Sequence, residues 1–163
     1  MVQQGSWIRI LVTGLFMTTL SPKHVRSAEP IRYLLRFPAP QTHYLEVEAH
    51  FPVRGLSDVD LVMAVWTPGS YLVREYPRHL EEISATSQSG QTLNLSKIRK
   101  NRWRIKPLGA SEIRVTYRVY ARAMSVQGNW VDRSFALING AATFPDWVNA
   151  VALQWLAHTE RSA

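Results

Sequence analysis

Strict alternation of apolar and polar residues constrains the fold of this chain more than any other feature. In HYLEVEAHF (43–51), His43, Leu45, Val47, Ala49 and Phe51 point one way, and Tyr44, Glu46, Glu48 and His50 the other. EIRVTYRVYA (112–121) repeats the pattern, with Ile113, Val115, Tyr117, Val119 and Ala121 on one face and Glu112, Arg114, Thr116 and Arg118 on the opposite one. Only extended chain has a side-chain period of two, so both stretches are expected as strands of an antiparallel sheet with one buried and one wet face.

The remaining punctuation extends that reading. DLVMAVW (60–66) is a more continuous apolar run, expected to be a central strand that ends at Trp66. ISATSQSGQTLNLS (83–96) predicts two short strands around Ser89-Gly90, and Asn101-Arg102 a turn before the next strand, RWRI. Turn residues recur at Pro52, Gly55, Pro68-Gly69, Gly90, Pro107 and Gly109. This spacing predicts an all-β, antiparallel, β-sandwich-like domain rather than βαβ units. The chain has no cysteine, so neither disulfides nor thiolate zinc can support it. Stability must come from the core, for which 46% hydrophobic residues and six tryptophans provide material.

Both ends read differently. Residues 1–27 carry Arg9 ahead of an apolar run from Ile10 to Leu20, and Val25-Arg26-Ser27 fits a small-x-small cleavage site. This predicts a cleaved signal peptide and a secreted or periplasmic protein. The apolar run is too short to span a bilayer, which takes about 20 residues, so no stable membrane span is expected. In PDWVNAVALQWLAHTE (145–160), Trp147, Val148, Val151, Ala152, Trp155 and Leu156 recur at helical spacing behind Asp146 as a cap. A short amphipathic C-terminal helix is the expectation.

Candidate chemistry is sparse. The formal charge of +7 includes Arg9, Lys23 and Arg26 of the leader, and the one basic cluster (97–106) has no accompanying nucleic-acid motif, so no nucleic-acid partner is expected. No H-E-x-x-H sequence occurs, and His43 and His50 fall on opposite faces of their strand, so no metal site is expected. Ser70 lacks a G-x-S-x-G elbow, and no catalytic residue is assigned. Thr67-Pro68-Gly69-Ser70 suits a type II turn, with proline pre-setting φ and glycine accepting a positive one. Pro77 argues against a long helix beyond it, and Arg74, Glu75, Arg78 and His79 form a polar cluster. That cluster either orients a substrate or neighbouring domain, or consists of surface ion pairs worth about 0–1 kcal/mol each. Core packing is the expectation for Trp66 and Trp103, and flat exposed contacts the alternative role for Trp130 and Trp147.

The stretch WTPGSYLVREYPRH (66–79) resembles a motif near the front of the glycyl aminopeptidases, zinc metallopeptidases that carry a PDZ domain. The resemblance continues through Lys97, Asn101-Arg102-Trp103 and VTYRVYARAMSVQGNWVDRSFALINGAATF (115–144). It departs at Gln127, where arginine is usual, and at Ile138, where an aromatic commonly precedes Asn139-Gly140. It implies an N-terminal β-domain over residues 28–144, incomplete at its C-terminal end, followed by a helical tail, 145–163, outside the likeness. By the same resemblance, Trp66, Thr67, Pro68, Gly69, Ser70 and Tyr71 form the family's turn, and Lys97, Asn101, Trp103, Asn139 and Gly140 are structural. Tyr71, Arg74, Glu75, Arg78 and His79 are expected to face substrate or the catalytic domain. Zinc and its H-E-x-x-H ligands belong to a domain that does not occur in this chain. The expectation is therefore a truncated, noncatalytic front piece that meets peptide substrate only through a catalytic domain in cis or trans. The alternatives are a free-standing secreted module that binds peptide or glycan, and a decayed remnant without function.

Overall fold

The computed structural model describes residues 29–67, 69 and 72–149. The expected leader, Pro68, Ser70 and Tyr71 of the turn, and most of the expected helical tail lie outside them. Two four-stranded antiparallel sheets make up the structure. The first runs in the order β1 (Arg32–Arg36), β2 (Tyr44–Pro52), β7 (Glu112–Tyr120), β4 (Leu80–Ser87). The second runs β10 (Asp146–Asn149), β3 (Val59–Val62), β6 (Arg102–Ile105), β5 (Leu95–Arg99). A small ribbon pairs β8 (Trp130–Val131) with β9 (Ala136–Leu137).

The alternation in β2 and β7 decides their register. Leu45 pairs with Val119, Val47 with Tyr117, Ala49 with Val115 and Phe51 with Ile113, and all eight are buried. On the other face Glu46 lies opposite Arg118, an opposite-charge pair where water remains, and His50 lies opposite Arg114 while bonding Glu48 and Glu112. Slipping either strand by one residue would turn the whole apolar set outward. Val59, Leu61, Trp103 and Ile105 of the second sheet join the same buried cluster.

The two sheets are linked by the hairpin expected at Ser89-Gly90. Gly90 adopts φ +85°, Gly90 N–H donates to Ser87 O, and Leu93 N–H donates to Ala85 O. The chain then leaves β4 for the second sheet, where β5 and β6 form the next hairpin through Asn101. Asn101 joins that hairpin to the end of β3: its Nδ2 donates to Met63 O at 2.9 Å, and its carbonyl accepts from Met63 N–H at 3.0 Å. Lys97 stands opposite Trp103, with Nζ 5.3 Å from the centre of the buried ring. Within β3, Asp60 is fully buried, and Arg104 on β6 grips it with two hydrogen bonds of 2.7 and 2.9 Å. This paired geometry, with Arg102 also within 4.0 Å, allows a carboxylate inside an apolar strand.

Three expectations change. Asp146–Asn149 is a strand, not the start of a helix capped by Asp146. Its residues pair with β3 from Asp146↔Val62 to Asn149↔Val59, filling the edge that β6 leaves open. Tryptophan and valine suit a strand, and a run this short satisfies either period, so edge pairing decides. The strand expected through Trp66 ends at Val62. Trp66 is 50% exposed rather than in the core, whereas Trp103 is buried. Among the described residues no helix is long and apolar enough to cross a membrane.

Candidate functional site

Residues 72–79 leave the sheets and flank two cavities. Glu75 sits at φ +48°, a left-handed conformation that costs a non-glycine residue about 1–2 kcal/mol. A 3-10 turn, Tyr76–His79, follows directly, with Pro77 in its first positions. Upstream, Gly69 has φ +84°, the sign that a type II turn requires of its third residue. Arg74 N–H donates to Val65 O at 2.7 Å, tying this stretch to the end of the β3 segment.

The four polar residues singled out here do not form one cluster. Glu75 turns toward the β5–β6 hairpin, where Lys100 Nζ donates to its carboxylate at 2.9 Å and holds the carboxyl below its usual range. That contact is exposed and belongs to a cavity of about 400 Å³ bordered by Val65, Pro77, Lys97 and Ile98. Arg74 and His79 instead border a second cavity, of about 260 Å³, and Arg78 borders both. Arg78 Nε–H donates to His79 Nε2 at 3.1 Å, which requires that nitrogen to be unprotonated. Burial and then the Arg78 charge lower the imidazole pKa, consistent with that neutral form.

The far wall of the smaller cavity comes from the 123–142 segment. Asn129 is buried, and both ends of its side-chain amide are engaged. Oδ1 accepts from Asn139 N–H at 2.8 Å and from the Thr143 hydroxyl at 3.1 Å, and Nδ2 donates to Ala142 O at 3.2 Å. Asn139 caps the 3-10 turn Gly140–Ala142 through Oδ1 and donates from Nδ2 to Val126 O at 3.0 Å. Asn139-Gly140 thus holds this wall in place. Gly128 lies so close to Ala123 that an added Cβ would come within 2.8 Å of its carbonyl oxygen.

The near wall lacks such partners. Tyr76 is 4% exposed, yet its hydroxyl has no hydrogen-bond partner among the described residues, and the same holds for the shielded Arg74 Nε and, on the 123–142 side, for Gln127 Oε1. All three residues border this cavity. Tyr76 and Asn129 carried no signal in the sequence beyond their neighbours, and Gln127 stood out only as a departure from the aminopeptidase pattern. The Trp130 indole N–H donates to Asp132 at 2.9 Å, and its ring lies 5.3 Å from that of His43, centre to centre. Among the described residues no group of three or more His, Asp or Glu side chains is placed to hold a metal ion.

Comparison with curated proteins gives no match. A crystal structure of an aminopeptidase N family protein from Idiomarina loihiensis is similar at a TM-score of 0.67 and 26% identity, over 72% of this chain. This chain covers 20% of that protein's length. The Peptidase M61 N-terminal domain matches residues 32–151, a span that passes beyond Phe144 and takes in β10. The chain therefore belongs to the Peptidase M61 N-terminal domain family, the noncontiguous sequence motifs and the paired sheets being two expressions of one peptidase-associated domain.

Proposed function

We propose that this chain is the noncatalytic N-terminal module of a glycyl aminopeptidase-like zinc metallopeptidase, exported by its leader. Its two sheets stack as a sandwich around the shared core, and zinc with its ligands resides in a catalytic domain joined in cis or met in trans. The module presents residues 72–79 to that domain or to the peptide it holds. The match to a peptidase N-terminal domain over residues 32–151 carries this reading. An alternative, a free-standing peptide-binding module, draws support from the polar cavity behind Tyr76.

Hydrolysis of a glycyl amide in the presence of zinc separates the two. The chain alone is expected to be inactive, and an added catalytic domain of the family is expected to co-purify with it and be activated by it. Chelator-sensitive hydrolysis by the chain alone would overturn the noncatalytic assignment. Failure to associate would leave the free-standing module as the better reading.

A further inference from the structure

We propose that the cavity of about 260 Å³ between residues 74–79 and 123–142 binds the C-terminal carboxylate of a peptide. Its described lining includes Arg74, Arg78 and His79 and no aspartate or glutamate, so its field favours an anion. The unpartnered atoms narrow the choice of anion. Arg74 Nε–H and the Tyr76 hydroxyl are donors, whereas Gln127 Oε1 is an acceptor. The last residue of a peptide offers both complements on one Cα, a carboxylate for the donors and an amide N–H for the acceptor. Phosphate lacks an N–H and would answer Gln127 only through a P–OH proton, at the cost of the negative charge the donors select. The exposed side chains of Leu72 and Val73 border the opening and provide apolar contact for the ligand's own side chain. The volume suits one or two residues, since it lies just below the usual range for sites that enclose a drug-sized ligand.

Stability points the same way. A buried polar atom without a partner lowers stability, and a bound peptide end would relieve three such atoms. Because these atoms lie beneath the cavity surface, binding includes a side-chain adjustment, as is common at interfaces. The inference rests on the reading of residues 72–79 as a contact stretch. It is separable from attachment to a catalytic domain, because a free peptide tests the cavity alone and co-purification tests the module.

The test is calorimetric titration of the 163-residue chain with N-acetyl-alanyl-leucine, its C-terminal amide, and inorganic phosphate. The acid is expected to bind, with the amide and phosphate weaker by about tenfold or more, the difference one charge-assisted contact makes. Tyr76→Phe should weaken acid binding by a similar factor without lowering the melting temperature, since the hydroxyl it removes bonds to nothing in the fold. Arg74→Met should abolish the preference for acid over amide. Equal binding of acid and amide, no binding of either, or phosphate binding as tight as the acid would overturn the proposal. A lower melting temperature for Tyr76→Phe would overturn it as well, because the hydroxyl would then serve the fold.

Discussion

The two walls of the smaller cavity bury polar atoms in opposite ways. On the 129–143 side Asn129, Asn139 and Thr143 bond to one another and to the backbone. On the 74–76 side a phenol and a guanidinium nitrogen are shielded from water without partners among the described residues, and across the cavity, on the 123–142 side, the Gln127 carbonyl is in the same state. A satisfied buried network rigidifies, whereas an unsatisfied one lowers stability until something completes it. One wall therefore reads as scaffold and the other as the surface the scaffold presents.

The sharpest way to break this comparison is to damage the satisfied wall. Asn129→Ala strands Asn139 N–H and Ala142 O, while the Thr143 hydroxyl keeps its bond to Asn139 O, and should cost about 3 kcal/mol in denaturant unfolding, near the upper end for an orphaned buried group. A cost as small as that expected of a surface substitution would mean the network is not holding the wall. Next in size is Gly128→Ala. The new Cβ would press on the Ala123 carbonyl at 2.8 Å, and overpacking of this kind costs about 1–3 kcal/mol. No change in melting temperature would show that the loop gives way freely, and the wall could not then be called rigid.

The smallest effect separates the cavity from the open face of the first sheet by pH. On that face His50 bonds to both Glu48 and Glu112, and these contacts, ahead of nearby arginines, lower both carboxyl pKa values beneath the reference of 4.5. Groups lowered on folding contribute stability above the unfolded value and lose it as pH falls through the folded one, so this part disappears in the acid range below about pH 4.5. His79, also lowered, but by burial and then Arg78, follows the same sign from a higher starting point. Its part is complete above about pH 6.5 and fades as the pH drops below that. Melting temperatures across pH should therefore decline in two windows, and His79→Gln should remove the upper one only. A single acid window unchanged by the substitution would show that His79 titrates as if unfolded.

Much of the first sheet was legible because its signal is local. Buried positions of β2 and β7 alternate without a break, and no distant partner was needed to recognise them. The hairpin at Gly90 and the turn at Asn101 were equally local, since glycine and asparagine mark the backbone reversals themselves. β10 was not legible, because Trp147 and Val148 fit a helix face as well as a strand. Only the exposed edge of β3, 84 residues earlier at Val62, selects the strand. Trp66 misled for a related reason: an apolar residue closing an apolar run looks internal until the strand is seen to stop at Val62. Within the candidate site, the charges of Arg74, Arg78 and His79 were visible, but the split that sends Glu75 to Lys100 was not. The split coincides with the left-handed backbone at Glu75. The missing partners of Tyr76 and Gln127 depend on what surrounds them in space, which no spacing encodes.

The position of β3 between β6 and β10 also sets a timetable for synthesis. β6 reaches β3 after residues 102–105 emerge, yet the other flank of β3 stays bare until residues 146–149 leave the ribosome. Throughout that interval a nascent chain displays an unpaired strand edge, the kind that recruits neighbouring chains.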